Sequence, residues 1–294
     1  VSPTSAGVPA DVRIKRLDAA FRWPGGARVA VIFNLAYEAW SDGKAPGIGP
    51  MGNVLAPGFF DTNAHSWARF GPVRGIDRLL GIVERHHVKA SVMVNGVLAD
   101  RSPESIQRIH AAGHEIVAHS WGMDVIPVYL DEDAERRNLH RTLDALQRAS
   151  GASCSGWISP RGTGSLVTPR LLAEAGLLWH GDCNDDDAPY VIEHAGKRLV
   201  AIPLTMDIND LPLCVRYGQP PRAMLDLFDD TLRAMRERET RPLILDVTAH
   251  THVFGRASGA WVYDEIIARA KGYGDLWVAT RKQIAEHVLA NVAA

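Results

Sequence analysis

Residues 28–35 read R-V-A-V-I-F-N-L, an almost unbroken apolar run. A strand apolar on both faces has to be covered on both faces. That is the situation in parallel sheets, whose crossover helices lie on them; a sheet with one wetted face would show alternation instead. The run points to an α/β architecture, and the rest of the chain repeats the pattern. Ile76, Leu79, Leu80 and Val83 have the spacing of a helix over 72–87. A strand follows at 89–95, then a helix opened by Ser102-Pro103-Glu104 and stopped at Gly113. Further strands read at 115–118, 154–159, 177–179, 199–203, 242–248 and 275–279. The helices between them read at 131–150, from Thr168-Pro169 to Gly176, at 222–238 and around 263–271, and a Thr280/Gln283 capping-box pair opens the last one. Such alternation implies parallel strands with right-handed crossovers.

Nearly every strand ends in a polar cluster. Glu38 follows the first, His119 follows 115–118, and Arg161 follows 154–159. Asp182 with Asp185, Asp186 and Asp187 follows 177–179, Asp207 and Asp210 follow 199–203, and His250 and His252 follow 242–248. Polar groups gathered at the carboxyl ends of strands mark the working rim of a barrel. No G-x-G-x-x-G follows the first strand and no G-x-x-x-x-G-K-S/T occurs, which disfavours a nucleotide-binding open sheet. The expected fold is a distorted (β/α) barrel of about seven parallel strands. We read one domain over 1–294, with an arm at 1–26 and a Gly/Pro-rich loop at 41–60 lying over the site.

Composition bounds the function. The 294 residues carry a formal net charge of −2 and no Lys/Arg run, which argues against nucleic acid or an anionic membrane as partner. No apolar run approaches the roughly 18 residues of a membrane span. Cys154, Cys183 and Cys214 are widely spaced, with no CxxC pair, and read as reduced thiols of a cytoplasmic protein. No basic segment followed by an apolar one marks a signal peptide, although the first residue, Val1, leaves a removed leader open.

The rim residues suit hydrolysis of an amide. A carboxylate or a metal activates water, a histidine protonates the leaving nitrogen, and an arginine orients a carboxylate or stabilises an oxyanion. Arg161 could equally pair with Asp186 in a structural bridge, and most of the 182–187 aspartates could form a solvated acidic turn. His250 and His252 alternate along an extended segment, so one is expected at the rim and the other in a structural role.

Several stretches resemble the polysaccharide deacetylase superfamily, the carbohydrate esterase family four and its amidohydrolase relatives. They are Lys89 through Gly96, the A-G-H-E-I-V-A-H run ending at His119, and L-W-V-A-T at 276–280. Metal-dependent members place an Asp pair after the first strand and a second His four residues after the first. Here Ala36 and Glu38 stand in the one place and Met123 in the other. The departures resemble the metal-independent allantoinase and cyclic-imide branch. Tyr37-Glu38, Gly156-Trp157 with Arg161, Asp186-Asp187-Ala188-Pro189-Tyr190, Asp207 to Asp210, and His250 with Gly255-Arg256 carry that likeness.

The resemblance implies a hydrolase of non-peptide carbon–nitrogen bonds in a small amide, ureide or cyclic imide. Glu38, His119, Arg161, Asp186 and His250 would be catalytic, and Tyr37, Trp40, Trp157, Asp187 and Asp210 would touch substrate. It implies no required cofactor, or a divalent metal such as zinc held weakly by Glu38 and His119. A homo-oligomer is implied by the branch. The alternatives are a zinc-dependent deacetylase of N-acetylated carbohydrate, in carbohydrate metabolism, and an inactive ligand-binding barrel suggested by Ala36 and Met123.

Overall fold

The structure, a computed structural model, describes residues 12–52 and 55–292. Residues 1–11 of the expected arm and two residues of the expected loop lie outside the described residues. The strands are β1 (Arg13–Arg16), β2 (Val29–Tyr37), β3 (Ser91–Val94), β4 (Glu115–Ala118) and β5 (Gly156–Trp157). They continue as β6 (Trp179–His180), β7 (Tyr190–His194), β8 (Lys197–Ala201), β9 (Leu243–His250) and β10 (Leu276–Ala279). The helices are α1 (Thr62–Ala68), α2 (Ile76–Arg85), α3 (Val97–Arg101), α4 (Pro103–Ala111) and α5 (Glu132–Ser150). Then come α6 (Thr168–Glu174), α7 (Arg222–Arg238), α8 (Ala257–Gly272) and α9 (Arg281–Asn291).

The fold is mixed α/β, and from β8 through β6, β5, β4, β3 and β2 to β9 every neighbouring pair is parallel. β2 is buried along its whole length and is the most heavily paired strand. β9 takes one of its edges over Val29–Ala36; the other edge is shared by β10 at Val29–Ile32 and β3 at Asn34–Tyr37. Alternate residues of β2 divide two cores. Val29, Val31, Phe33, Leu35 and Tyr37 pack on the helix side. Ala30, Ile32 and Ala36 join a smaller cluster with Val117, Ile158, Trp179, Val200 and Ile244. That cluster draws side chains from strands far apart in the sheet order, so the sheet curls around it in the manner of a barrel.

The inside of the curl is not all apolar. Arg281, with no solvent exposure, pairs with Asp246, and its Nε and Nη1 donate to Asn34 Oδ1 at 3.0 Å and to the Ile202 carbonyl at 2.9 Å. Next to it Glu115 accepts from Ser91 Oγ at 2.6 Å, Trp179 Nε1 at 3.0 Å and the Lys282 backbone at 2.9 Å. Burial pushes the Glu115 carboxyl up against those bonds. These polar residues plug the interior below the rim.

Several expectations need correction. β1 and β7 are antiparallel additions at one side of the sheet, where the sequence suggested an irregular arm and no separate strand. β1 is short and largely exposed, so it carries no periodic signal. The expected helix over 72–87 opens with a π-helical turn, Gly71–Gly75, before α2. There Gly75 and Gly255 both lie against the Thr251 backbone, where a Cβ would collide. Thr168 starts α6 without capping it and donates to buried Glu135 instead. The capping box at Thr280 and Gln283 is present. No helix among the described residues is long and apolar enough to cross a membrane, and all three cysteines are free.

Removing a buried cation and leaving its anion behind costs about 3–5 kcal/mol. Arg281→Ala is therefore expected to lower unfolding stability in urea by about that amount. An Arg281→Met, Asp246→Leu double variant should recover most of the loss. A single variant within about 1 kcal/mol of the parent would show that the plug is not what holds the interior.

Candidate active site

β9, β2, β3 and β4 are consecutive in the sheet, and β2, β4 and β9 each deliver one group to the same point. Glu38 follows β2, His119 follows β4, and His250 closes β9; all three are buried. Asn95, fully buried, sets their relative height. Its Oδ1 accepts from the Ala39 backbone at 2.9 Å, and its Nδ2 donates to the His119 carbonyl. Glu38 Oε1 lies 3.6 Å from His119 Nε2 and 3.4 Å from His250 Nε2, and Oε2 lies 3.9 Å from His252 Nε2.

Each imidazole is oriented from behind. His119 Nδ1 faces the Ile158 carbonyl at 2.5 Å. A carbonyl only accepts, so Nδ1 carries the hydrogen and Nε2 is turned to Glu38. His250 Nδ1 donates to Asp210 Oδ1 at 2.6 Å, and Asp210 Oδ2 accepts from the His250 and Phe254 backbones at 2.8 and 3.0 Å. Burial by itself would raise the Glu38 carboxyl. The charge of His250, with His119 and His252 beside it, overcomes that and holds it well below the usual carboxylate range. Burial would likewise lower His250, yet Glu38 and Asp210 lift it to about 10, so it is an imidazolium at neutral pH. His252 goes the other way. Burial takes it down to about 4, and it stays neutral between the rings of Trp40 and Trp67.

These groups open onto a cavity of about 580 Å³. Trp40, Trp67, Met93, Met123, Arg161 and residues of the 45–48 segment line it, together with Glu38, His119, His250 and His252. Both histidines of the H-T-H segment reach the cavity, contrary to the expectation that only one would. The chain turns at Thr251, whose backbone and hydroxyl both donate to the Ala36 carbonyl at 3.0 Å, so simple strand alternation stops before His252. The ring nitrogens of His252 have no hydrogen-bond partner among the described residues.

Other expected residues lie elsewhere. Asp186 pairs with Arg16 of β1, and Arg241 lies 3.7 Å away; it does not meet Arg161. The Asp187 carbonyl accepts from Ile244, at the start of β9 and six residues before His250. That is about 20 Å along a strand, so neither aspartate reaches the cavity. Trp157 points to the helix-side core and donates to Ser159 Oγ at 2.9 Å. Tyr37 is buried on the same side. Asp210 has no exposure and stands behind His250 rather than facing a substrate. Asp182 is enclosed as well, bonded to the Ser159 backbone and hydroxyl at 2.7 and 2.6 Å, and burial pushes it up to about 6. The sequence reading missed Asn95 as a pin and His252 as a cavity residue. The polar side chain just past the buried β3 run was the available signal for Asn95.

A catalytic zinc needs about three protein ligands with lone pairs to give. Glu38 and His119 are two, and the thioether of Met123, which also lines the cavity, suits such a metal poorly. Among the described residues no group of three His, Cys, Asp or Glu side chains is arranged to hold a metal ion. The residues present do not fit the group.

The family model for polysaccharide deacetylase matches residues 70–179. A Mycobacterium smegmatis structure provisionally named a polysaccharide deacetylase is 32% identical, covers 94% of this chain and 95% of its own, and superposes with a TM-score of 0.80. The structure of PuuE allantoinase is 27% identical, covers 92% and 93%, and gives a TM-score of 0.81. Among curated proteins, the peptidoglycan deacetylase of Helicobacter pylori is 23% identical over 87% of this chain and 96% of its own length.

Asp210→Asn removes a charge that keeps His250 protonated, so the His250 pKa is expected to fall from about 10; ring-nitrogen NMR titration reads it directly. The sign for stability follows from linkage. A histidine raised above its unfolded value stabilises the fold fully below about pH 6.5 and loses that contribution as pH rises toward 10. Urea midpoints of the parent should decline across that window, and those of Asp210→Asn should decline less. An unchanged His250 titration in the variant would detach Asp210 from this role.

Proposed function

The chain belongs to the polysaccharide deacetylase family, and from that premise we propose that it hydrolyses a carbon–nitrogen bond of a small amide, ureide or cyclic imide without a metal. The observation that carries the reading is one ionised carboxylate, Glu38, facing an imidazolium, His250, and a second oriented imidazole, His119, inside one cavity. The neighbour named an allantoinase supports a substrate other than a sugar.

The chemistry follows from the geometry. In its neutral form His119 presents the Nε2 lone pair to Glu38 across 3.6 Å. A water between them donates to both, and Glu38 takes a proton from it as oxygen attacks the substrate carbonyl carbon. The carbonyl π pair moves onto oxygen and a tetrahedral adduct forms. His250 Nε2–H then protonates the nitrogen, the C–N bond breaks, and the oxygen pair returns to carbon. Glu38 ends protonated and His250 neutral; the 3.4 Å gap between them lets the proton pass back and resets the pair. Asp210 acts through His250, holding its ring and its charge.

His119→Ala and His250→Ala are each expected to cost on the order of 10²-fold or more in kcat, and Glu38→Gln at least as much. Turnover is to be measured over amides, ureides and cyclic imides with the protein as purified and after chelation. Equal activity in both states is the expected result. Activity lost on chelation and restored by zinc would favour a zinc-dependent deacetylase of N-acetylated sugars, and binding without turnover would favour an inactive barrel.

A further inference from the structure

The walls around Glu38 hold more positive charge than the proposed reaction uses. Arg161 and Arg216 line the same cavity, and neither has an acidic partner among the described residues. A second chamber of about 420 Å³ shares Glu38, Trp40 and Pro46 with the first and adds Lys44 and Arg69, which likewise lack acidic partners among the described residues. The carboxylates on these walls are already engaged. Glu38 faces the imidazoles, Asp42 pairs with Arg101 at 2.6 Å, and Asp124 accepts from the Ser41 backbone at 2.7 Å. The chain as a whole has a formal net charge of −2, so a positive mouth is a local arrangement and not a general surplus.

Arg161 also has a strained backbone. Its φ is 63°, in the left-handed region, although it is not a glycine. Such a conformation is unfavourable and persists where the surroundings impose it, often at functional sites. Two tasks suit a guanidinium there. Oxyanion stabilisation calls for a fixed, dry donor close to the reacting carbon. Arg161 is exposed while Glu38, His119 and His250 are buried, so it stands at the entrance and not at the floor. A guanidinium at an entrance suits a full anion on the substrate, gripped through its paired N–H groups.

We infer that the substrate carries a carboxylate in addition to the bond that is cut, held by Arg161 and Arg216, with the field of Lys44 and Arg69 drawing it in. This rests on the proposed hydrolysis for its reaction and adds the substrate class: an acidic amide or ureide, or a cyclic imide or ureide bearing a carboxyl arm. A charged mouth raises the local concentration of such a molecule and weakens in salt.

The test uses a matched pair, hydantoin and hydantoin-5-acetate, with the full-length protein. The carboxylated member is expected to show kcat/KM about tenfold or more above the neutral one, and the advantage should shrink as sodium chloride rises from low to about 0.5 M. Arg161→Gln and Arg216→Gln should each erode the advantage by raising KM for the carboxylated member. Equal rates for the pair, or an advantage that survives the Arg161→Gln, Arg216→Gln double variant, would overturn the inference. If neither compound is turned over, the hydrolysis reading is what has failed for this class, and calorimetric titration with the same pair decides the anion site separately. Tighter binding of the carboxylated member, lost in the double variant, upholds it; equal or absent binding of the two rejects it.

Discussion

Glu38 is a carboxylate with little access to water, and such a group is ordinarily driven to take up a proton. It stays ionised because His250 beside it is an imidazolium, and His250 stays charged because Asp210 lies behind it. The three charges come from three distant parts of the chain and make sense only together. Removing one would leave another buried without its counter-charge, a change far costlier than losing a surface pair. The same relay defines the chemistry, since it sets which group can accept a proton and which can give one.

The scaffold beneath repeats that logic. Arg281 and Asp246 neutralise each other inside the curl of the sheet, with Asn34 and the Ile202 carbonyl each taking another donor. Glu115 is satisfied by Ser91, Trp179 and the Lys282 backbone. A fully satisfied polar plug is rigid, because any shift leaves a buried group unpaired. Rigidity below the rim, and the Asn95 pin across the ends of β2 and β4, keep Glu38 and His119 at a fixed spacing.

Much of this was legible in the sequence, unevenly. The long apolar run of β2, the amphipathic spacing of α2 and α7, and the capping box of α9 are local properties, and the elements formed where those patterns lie. Short or exposed elements left no such trace. β1 is four residues of mostly charged, solvated side chains, and β7 is placed by its pairing with β8 and β1 rather than by its own pattern. Glu38, His119, Arg161 and His250 stand after strand ends that point to one face, so parallel topology alone brings them to a common cavity. Asp186 also follows a strand in sequence, but the chain there runs down to meet β1 and the foot of β9, and Arg16 claims it.

Residue order by itself determined the alternation of buried strands and covering helices and the end of the sheet at which polar groups gather. Those are matters of local pattern and residue type. Tertiary structure alone decided which polar groups became partners: Asp210 for His250, Arg16 for Asp186, and both histidines of the H-T-H segment inside the cavity. Protonation was settled at the same level, since His250 and His252 are the same residue two positions apart and titrate near 10 and near 4. The reason is physical. Periodicity acts over a few residues, whereas the field and the dryness that fix a proton's place come from groups joined only by folding.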